Sequence, residues 1–274
     1  MNASKKMIKF FAEIIAILLI ALLVYGLSYF IYGLSFIFGN NNKYNESVML
    51  IDNNEINDLN NYSLFIKTEK TNVIVKTSSF FNVSTNNKNI AIDLNKESNT
   101  ISIIERKLPL FNFFDSYDLT IYLPDNLYKE IKIDTNSGNI IGNKFSTNKL
   151  YLNVDSGKVV IDSLVVYKKA NLNTGVGSVN ISGKLINNLS LTSGIGETII
   201  SANLFGKNYI EGGVGNINLN LLKDSNYFSF EVKKGLGDII IDGDIKQDGK
   251  YGDGNTYIYT ETNIGKINIE FTEQ

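Results

Sequence analysis

Residues Leu150–Ile161 read LYLNVDSGKVVI, Ala170–Ile181 read ANLNTGVGSVNI and Leu189–Ile200 read LSLTSGIGETII. Each is an apolar–polar alternation, a turn, a glycine and a second alternation. The same frame recurs around Gly138, Gly157, Gly177, Gly196, Gly215, Gly237 and Gly265. Two residues before these glycines stand Asn136, Asp155, Gly175, Gly194, Gly213, Gly235 and Asn263. These residue types tolerate positive φ, which predicts a tight turn at that place in every unit.

Apolar residues occupy the positions two and four after the glycine, except at Thr198 and Gly142, and five and seven before it, except at Thr260 and Asn208. One and five after it, every residue is polar, from Asn139 and Lys158 to Asp242 and Glu270. Period two on both sides of a turn describes two short strands sharing one inward face. A single unit of this size cannot bury its apolar stripe, whereas stacked units form a continuous core. The glycines are spaced by 19, 20, 19, 19, 22 and 28 residues, so insertions fall at the last two turns. The reading is all-β: a parallel β-solenoid with coils of about 19–20 residues, seven of which would stack to about 34 Å. A β-sandwich also has short alternating strands, but gives no reason for a constant period with one recurring turn residue.

The composition narrows the chemistry. The 274 residues include no Cys and no His, and Arg106 is the only arginine, which removes disulfides, thiolate metal sites and cysteine nucleophiles. From Ile14 to Phe38 run 25 uncharged, mostly apolar residues, about 38 Å as a helix and enough to cross a bilayer. Lys5, Lys6 and Lys9 precede this run with only Glu13 opposing them, so the positive-inside rule places the N-terminus in the cytoplasm and the rest outside. The run is too long for a signal peptide and lacks a small-residue cleavage site, so it reads as an uncleaved single-pass anchor into the lipid bilayer. Beyond it, 23 basic and 27 acidic residues leave a net charge of −4, which argues against nucleic acid as a partner.

The expected organisation is a cytoplasmic N-terminus (1–13), a transmembrane anchor (14–38), a polar Asn-rich stalk (39–61), an N-terminal β capping region (62–122) and solenoid repeats (123–274). Within the capping region, Asn72–Val75 fits the frame with Thr71 in the glycine place. Ile90–Ile92 and Ile101–Ile103 flank a turn at Glu97–Asn99 and read as a hairpin closing the open end. The apolar stretch Leu108–Phe114 reads as a plug over the solenoid end.

The run Leu119–Asn126 with its Leu-Pro-Asp, followed by Ile131–Ile140 and Leu152–Val159 with their Ser-Gly turns, resembles the bacterial putative-adhesin family of β-strand repeats, which includes LiaG-like envelope proteins. The likeness spans roughly Tyr62 to Phe271. It implies a membrane-anchored or secreted solenoid associated with the cell envelope and its stress responses, and it carries no catalytic residues across. From Gly175 onward this chain has Gly-apolar-Gly where the family has Ser-Gly.

Parallel β-helices also carry glycan-cleaving enzymes, which need clustered carboxylates. Asp134, Asp155 and Asp162 fall in different columns of the frame, so no catalytic constellation is expected. Glu211–Ile217 begins like a calcium-binding nonapeptide, but Ile217 stands where an Asp ligand belongs. No metal or cofactor is therefore expected. Two candidate binding surfaces remain. One is the acidic loop after Ile241, with Asp244, Asp248, Tyr251, Asp253 and Tyr257, because recognition commonly sits on loops of rigid scaffolds. The other is an outward apolar column three after the glycine: Ile141, Val160, Ile199 and Ile240. The expected function is non-enzymatic binding of a protein or other envelope partner. The alternatives are a surface adhesin for host or neighbouring cells and, more remotely, a glycan-active enzyme.

Overall fold

The computed structural model describes residues 59–106 and 116–272. Glycines from successive units stack directly on one another. A Cβ on Gly157 would lie 2.1 Å from the carbonyl oxygen of Gly138, and one on Gly196 would lie 1.8 Å from that of Gly177. The amide ladder runs through the turn: the Gly157 N–H donates to the Val176 carbonyl at 2.9 Å and that of Gly177 to Ile195 at 2.8 Å. Positive φ falls on the recurring glycine itself, at +138° to +152° in six of the seven, and not two residues earlier as the sequence suggested. At the earlier position the constraint is close approach, since a Cβ on Gly194 would lie 2.3 Å from the Gly175 carbonyl oxygen.

The described residues are all-β, with no α-helix; none of their helices is long and apolar enough to cross a membrane. The strands before the glycine form one long parallel face. Its order is Thr100–Glu105, Ser63–Thr68, Tyr128–Ser137, Phe145–Ser156, Val159–Val176, Leu189–Ile195, Lys207–Val214, Thr256–Ile264 and Phe228–Leu236. The strands after the glycine form a second parallel face, the short face, in the same layer order, from Tyr117–Pro124 and Thr71–Ser78 to Ile267–Phe271 and Ile239–Ile241. Nine layers at the ordinary strand spacing are about 43 Å deep, two more than the seven glycines suggest. Thr71 takes the glycine place of one extra layer, with its carbonyl oxygen 2.6 Å from a Cβ on Gly138.

The layers do not follow chain order at either end, which corrects a purely sequential stack. Thr256–Phe271 is the last coil in sequence but lies between the coils of Gly215 and Gly237. The Gly265 N–H donates to the Leu236 carbonyl on one side, and on the other the Gly215 N–H donates to the carbonyl of Ile264. The first described coil, Ser63–Ser78, likewise lies between Thr100–Pro124 and Tyr128–Gly142. At both ends the outermost coil carries antiparallel strands: Ile90–Asn95 and Asn82–Thr85 at one end, Gly249–Tyr251 and Asp244–Lys246 at the other. The 22- and 28-residue spacings thus record a skipped layer and a return to fill it.

Inward columns make the core. Leu152, Leu172, Leu191 and Ile210 stack in register with at most 3% of their surface exposed, each such side chain contributing roughly 1.5–3 kcal/mol by burial. The break in the column at Gly142 has a packing cause: a Cβ there would lie 2.8 Å from the ring of Phe145, which is buried. At the far end Phe228, Phe230 and Phe271 close the core with ring centroids 5.9–6.0 Å apart. The anchor (14–38), nearly all of the stalk and the apolar stretch Leu108–Phe114 lie outside the described residues.

Candidate functional site

Alternation along each strand of the long face sends every second side chain outward, and parallel registry stacks equivalent positions one coil apart. Six residues before the glycine, the outward column runs Lys132, Tyr151, Asn171, Ser190, Tyr209, Tyr259 and Glu231 in layer order. Four before it, the column runs Asp134, Asn153, Asn173, Thr192, Glu211, Glu261 and Lys233. The two columns lie side by side on one surface.

Toward the start of the stack this surface dips into a shallow groove of about 300 Å³, lined by Lys132, Asp134, Tyr151 and the amides of Asn153, Asn171 and Asn173. The Asn173 Nδ2 donates to Asn153 Oδ1 at 3.1 Å, while the buried Asn171 Oδ1 has no hydrogen-bond partner. Toward the other end the rings gather. Tyr209 lies 6.1 Å from Tyr257, edge-on, and 6.2 Å from Tyr259. The Tyr257 hydroxyl donates to Glu231 at 3.0 Å, and the Tyr259 hydroxyl donates to Glu261. Lys233 lies 5.1 Å from the Tyr259 ring centre and 3.3 Å from Glu231 Oε1.

These contacts set the charges. The Tyr257 hydroxyl, followed by Lys233, holds the Glu231 carboxyl below the usual glutamate range, and Glu231 in turn raises Lys233. Desolvation, then Glu231, raises the Tyr257 phenol; the bond to Glu261 is the main cause of the rise at Tyr259. Both tyrosines therefore stay neutral, with their hydroxyls committed to carboxylates.

Of the residues singled out from sequence, Tyr257 and Asp134 fall on this surface and the others fall elsewhere. The stretch after Ile241 folds back as the two antiparallel strands of the cap. Asp244 pairs with Lys246 at 3.0 Å, Asp248 accepts from the Lys234 N–H at 3.2 Å, and Tyr251 is half-buried with its hydroxyl on the Gln247 carbonyl at 2.6 Å. Asp253 stays exposed between the cap and the final coil. Tyr257 belongs to the next strand and stands on the outer face. The apolar column is interrupted: Asn180 separates Val160 from Ile199, while Asn218 and Asn268 separate Ile199 from Ile240. Only Ile141 and Val160 are direct neighbours. Asp134, Asp155 and Asp162 stand at three separate places round the coil, with Asp134 paired to Lys132 at 3.2 Å. Among the described residues no three His, Cys, Asp or Glu side chains are grouped to hold a metal ion.

Sequence reasoning missed Tyr209, Tyr259, Glu231 and Glu261. Extending the frame to six and four residues before the glycine exposes the first two as outward rings. That Glu231 neighbours Tyr259 and Tyr257 emerges only from the layer order. A second unexpected feature is a ridge immediately before the glycines, where Val176, Ile195, Val214, Ile264 and Leu236 stack in register with 43–72% of their surface exposed.

Two solved structures are similar to this chain. A putative cell adhesion protein from Clostridium sporogenes is 16% identical, with 82% of this chain and 97% of that chain covered and a TM-score of 0.38. A putative adhesin from Bacteroides fragilis is 14% identical, with 78% and 93% covered and a TM-score of 0.39. No curated protein matches the chain. The Toastrack DUF4097 family matches residues 50–269, bearing out the resemblance carried by the strand-repeat motifs, and the chain belongs to that family.

Proposed function

We propose that this chain is a non-enzymatic binding protein of the bacterial cell envelope: a β-solenoid anchored by residues 14–38, with the N-terminus cytoplasmic and the coils outside, whose working surface is the outer side of its long face. The observation behind this reading is the in-register surface joining the Asn153–Asn173 groove to the Tyr209–Tyr259 rings. A rigid repeat with laterally continuous side chains suits an extended partner better than a small molecule, which would need an enclosed pocket. Association with envelope stress fits the same picture, through occupancy of that surface.

The test is photocrosslinking in intact cells. A probe at Thr192, exposed beside the groove, should capture extracytoplasmic envelope material, whereas a probe at Asn180, exposed on the short face, should not. Equal capture from both positions, or capture of cytoplasmic components alone, would overturn the reading.

A further inference from the structure

The outer side of the long face has a chemistry that selects among polymers, and this step rests on that surface being the binding surface. Its aromatic part offers the exposed Tyr209 ring beside the partly exposed rings of Tyr257 and Tyr259, whose hydroxyls are bonded to Glu231 and Glu261 and the second of which has Lys233 over one face. Rings presented this way pack against apolar C–H surfaces. Its groove offers the side-chain amides of Asn153, Asn171 and Asn173, a group that both donates and accepts.

The two columns carry Lys132 and Lys233 against Asp134, Glu211, Glu261 and Glu231, a small acidic excess. Asp134 faces Lys132, and Glu231 faces Lys233 and, at 3.8 Å, Lys250. A polyanion needs clustered basic side chains, best of all arginine forks, and the chain's only arginine, Arg106, lies outside these columns. A wholly apolar partner would leave the amides and carboxylates unsatisfied. The chemistry that uses every part is a chain of neutral pyranose rings, with C–H faces for the tyrosines and hydroxyls that both donate and accept for the amides and carboxylates.

We propose that this surface is a binding site for a neutral polysaccharide lying across the coils, along the stacking direction. From the layer of Asp134 to that of Glu231 there are six coil steps, about 29 Å, room for several sugar rings in sequence. Binding is by contact alone and no bond is made or broken.

The experiment is affinity electrophoresis of the detergent-solubilised full chain in native gels containing dextran, laminarin or mannan, with heparin as a polyanion comparison. At least one neutral polysaccharide should retard the chain, and the retardation should persist at high salt. Tyr209→Ala combined with Tyr259→Ala should weaken it by about tenfold, the scale of losing two aromatic contacts. Asn173→Ala should weaken it less, and Asn180→Ala on the short face should leave it unchanged. Unchanged far-UV circular dichroism and thermal midpoint in each variant separate loss of binding from loss of fold. Absence of retardation by all three polysaccharides, retention in the double variant equal to that of the parent, or retardation by heparin alone would each overturn the glycan assignment. If the Thr192 crosslinks then contain an envelope protein and no carbohydrate, the glycan assignment falls while the binding surface stands.

Discussion

The carbonyl oxygen of Gly157 lies 1.7 Å from the point where Gly177 would carry a Cβ, and Gly177 has φ of +146°. Space and backbone conformation thus forbid a side chain independently. Gly177→Ala should cost about 4 kcal/mol or more, because neither layer can move without breaking the ladder above and below. Gly243 separates the two causes: its φ is +82° but nothing lies within 4 Å of an added Cβ. Gly243→Ala should therefore cost only about 1–2 kcal/mol, the conformational part alone. Urea denaturation midpoints of the two variants check the difference.

Glu105 secures the turn of the neighbouring coil. Thr100–Glu105 belongs to the outermost coil, and its last residue lies against the Glu69–Thr71 turn of the next. Buried Glu105 Oε2 accepts from the N–H groups of Glu69 at 2.7 Å and Lys70 at 3.2 Å and from the Thr71 hydroxyl at 2.9 Å, while Oε1 accepts from Asn87 Nδ2 at 2.8 Å. Glu105→Ala should destabilise by about 3 kcal/mol or more, since several buried donors lose their acceptor together. Glu105→Gln, which keeps an acceptor oxygen but sets an NH2 among donors, should fall between. Equal midpoints for parent and Ala variant would show that water replaces the carboxylate.

Much of this fold is legible in the sequence because its strongest constraint leaves a residue-type signature. Stacked glycines with left-handed φ admit nothing else, so Gly157, Gly177, Gly196 and Gly215 announce the period, and the inward columns follow from alternation. The layer order is not legible. Coils centred on Gly215, Gly237 and Gly265 present the same frame, so any of them can stack on any other, and only the antiparallel return through Asp244–Lys246 and Gly249–Tyr251 determines which does. The outer site was hidden for the same reason: Tyr209 and Tyr259 are 50 residues apart and Glu231 lies between them in sequence, yet it is the layer beyond both in space. One clue was present. Asn208, an exception in an apolar column, is fully buried, and its Nδ2 donates to the Tyr257 carbonyl at 3.2 Å, tying its coil to that of Gly265.

Thr260 is another polar exception, and it has no such role. It sits between Ile210 and Val232 in the inward column, fully buried, and its hydroxyl has no hydrogen-bond partner. Valine has nearly the same shape without the unsatisfied group. Thr260→Val should therefore stabilise the protein by about 1 kcal/mol, read as a higher thermal midpoint.

The interleaved ends change what truncation does. In a sequential stack, removing 256–274 would trim the last layer and leave the others paired. Here the deletion removes the layer between Lys207–Val214 and Phe228–Leu236, leaving the cap coil without its parallel neighbour. Hydrogen exchange on the truncated chain should show protection lost across 228–251 and reduced in 207–221. Protection retained at 228–236 would mean that the cap coil can dock directly on Gly215.

Glu231 gives the outer face a pH signature. Its carboxyl is held low chiefly by the Tyr257 hydroxyl, with Lys233 adding to the effect. A depressed folded-state pKa contributes stability that is present above the ordinary glutamate range and is lost as pH falls through the folded value. In a nuclear magnetic resonance titration, Glu231 should protonate below the ordinary glutamate range. Tyr257→Phe, which removes the donor and keeps the ring, should move that midpoint upward while leaving the Lys233 contact in place. An unmoved midpoint would assign the depression to Lys233 and leave the Tyr257 ring free to turn on the surface. Because Glu231 is partly exposed, the shift should also shrink with added salt in the part due to Lys233, while the part due to the hydroxyl persists.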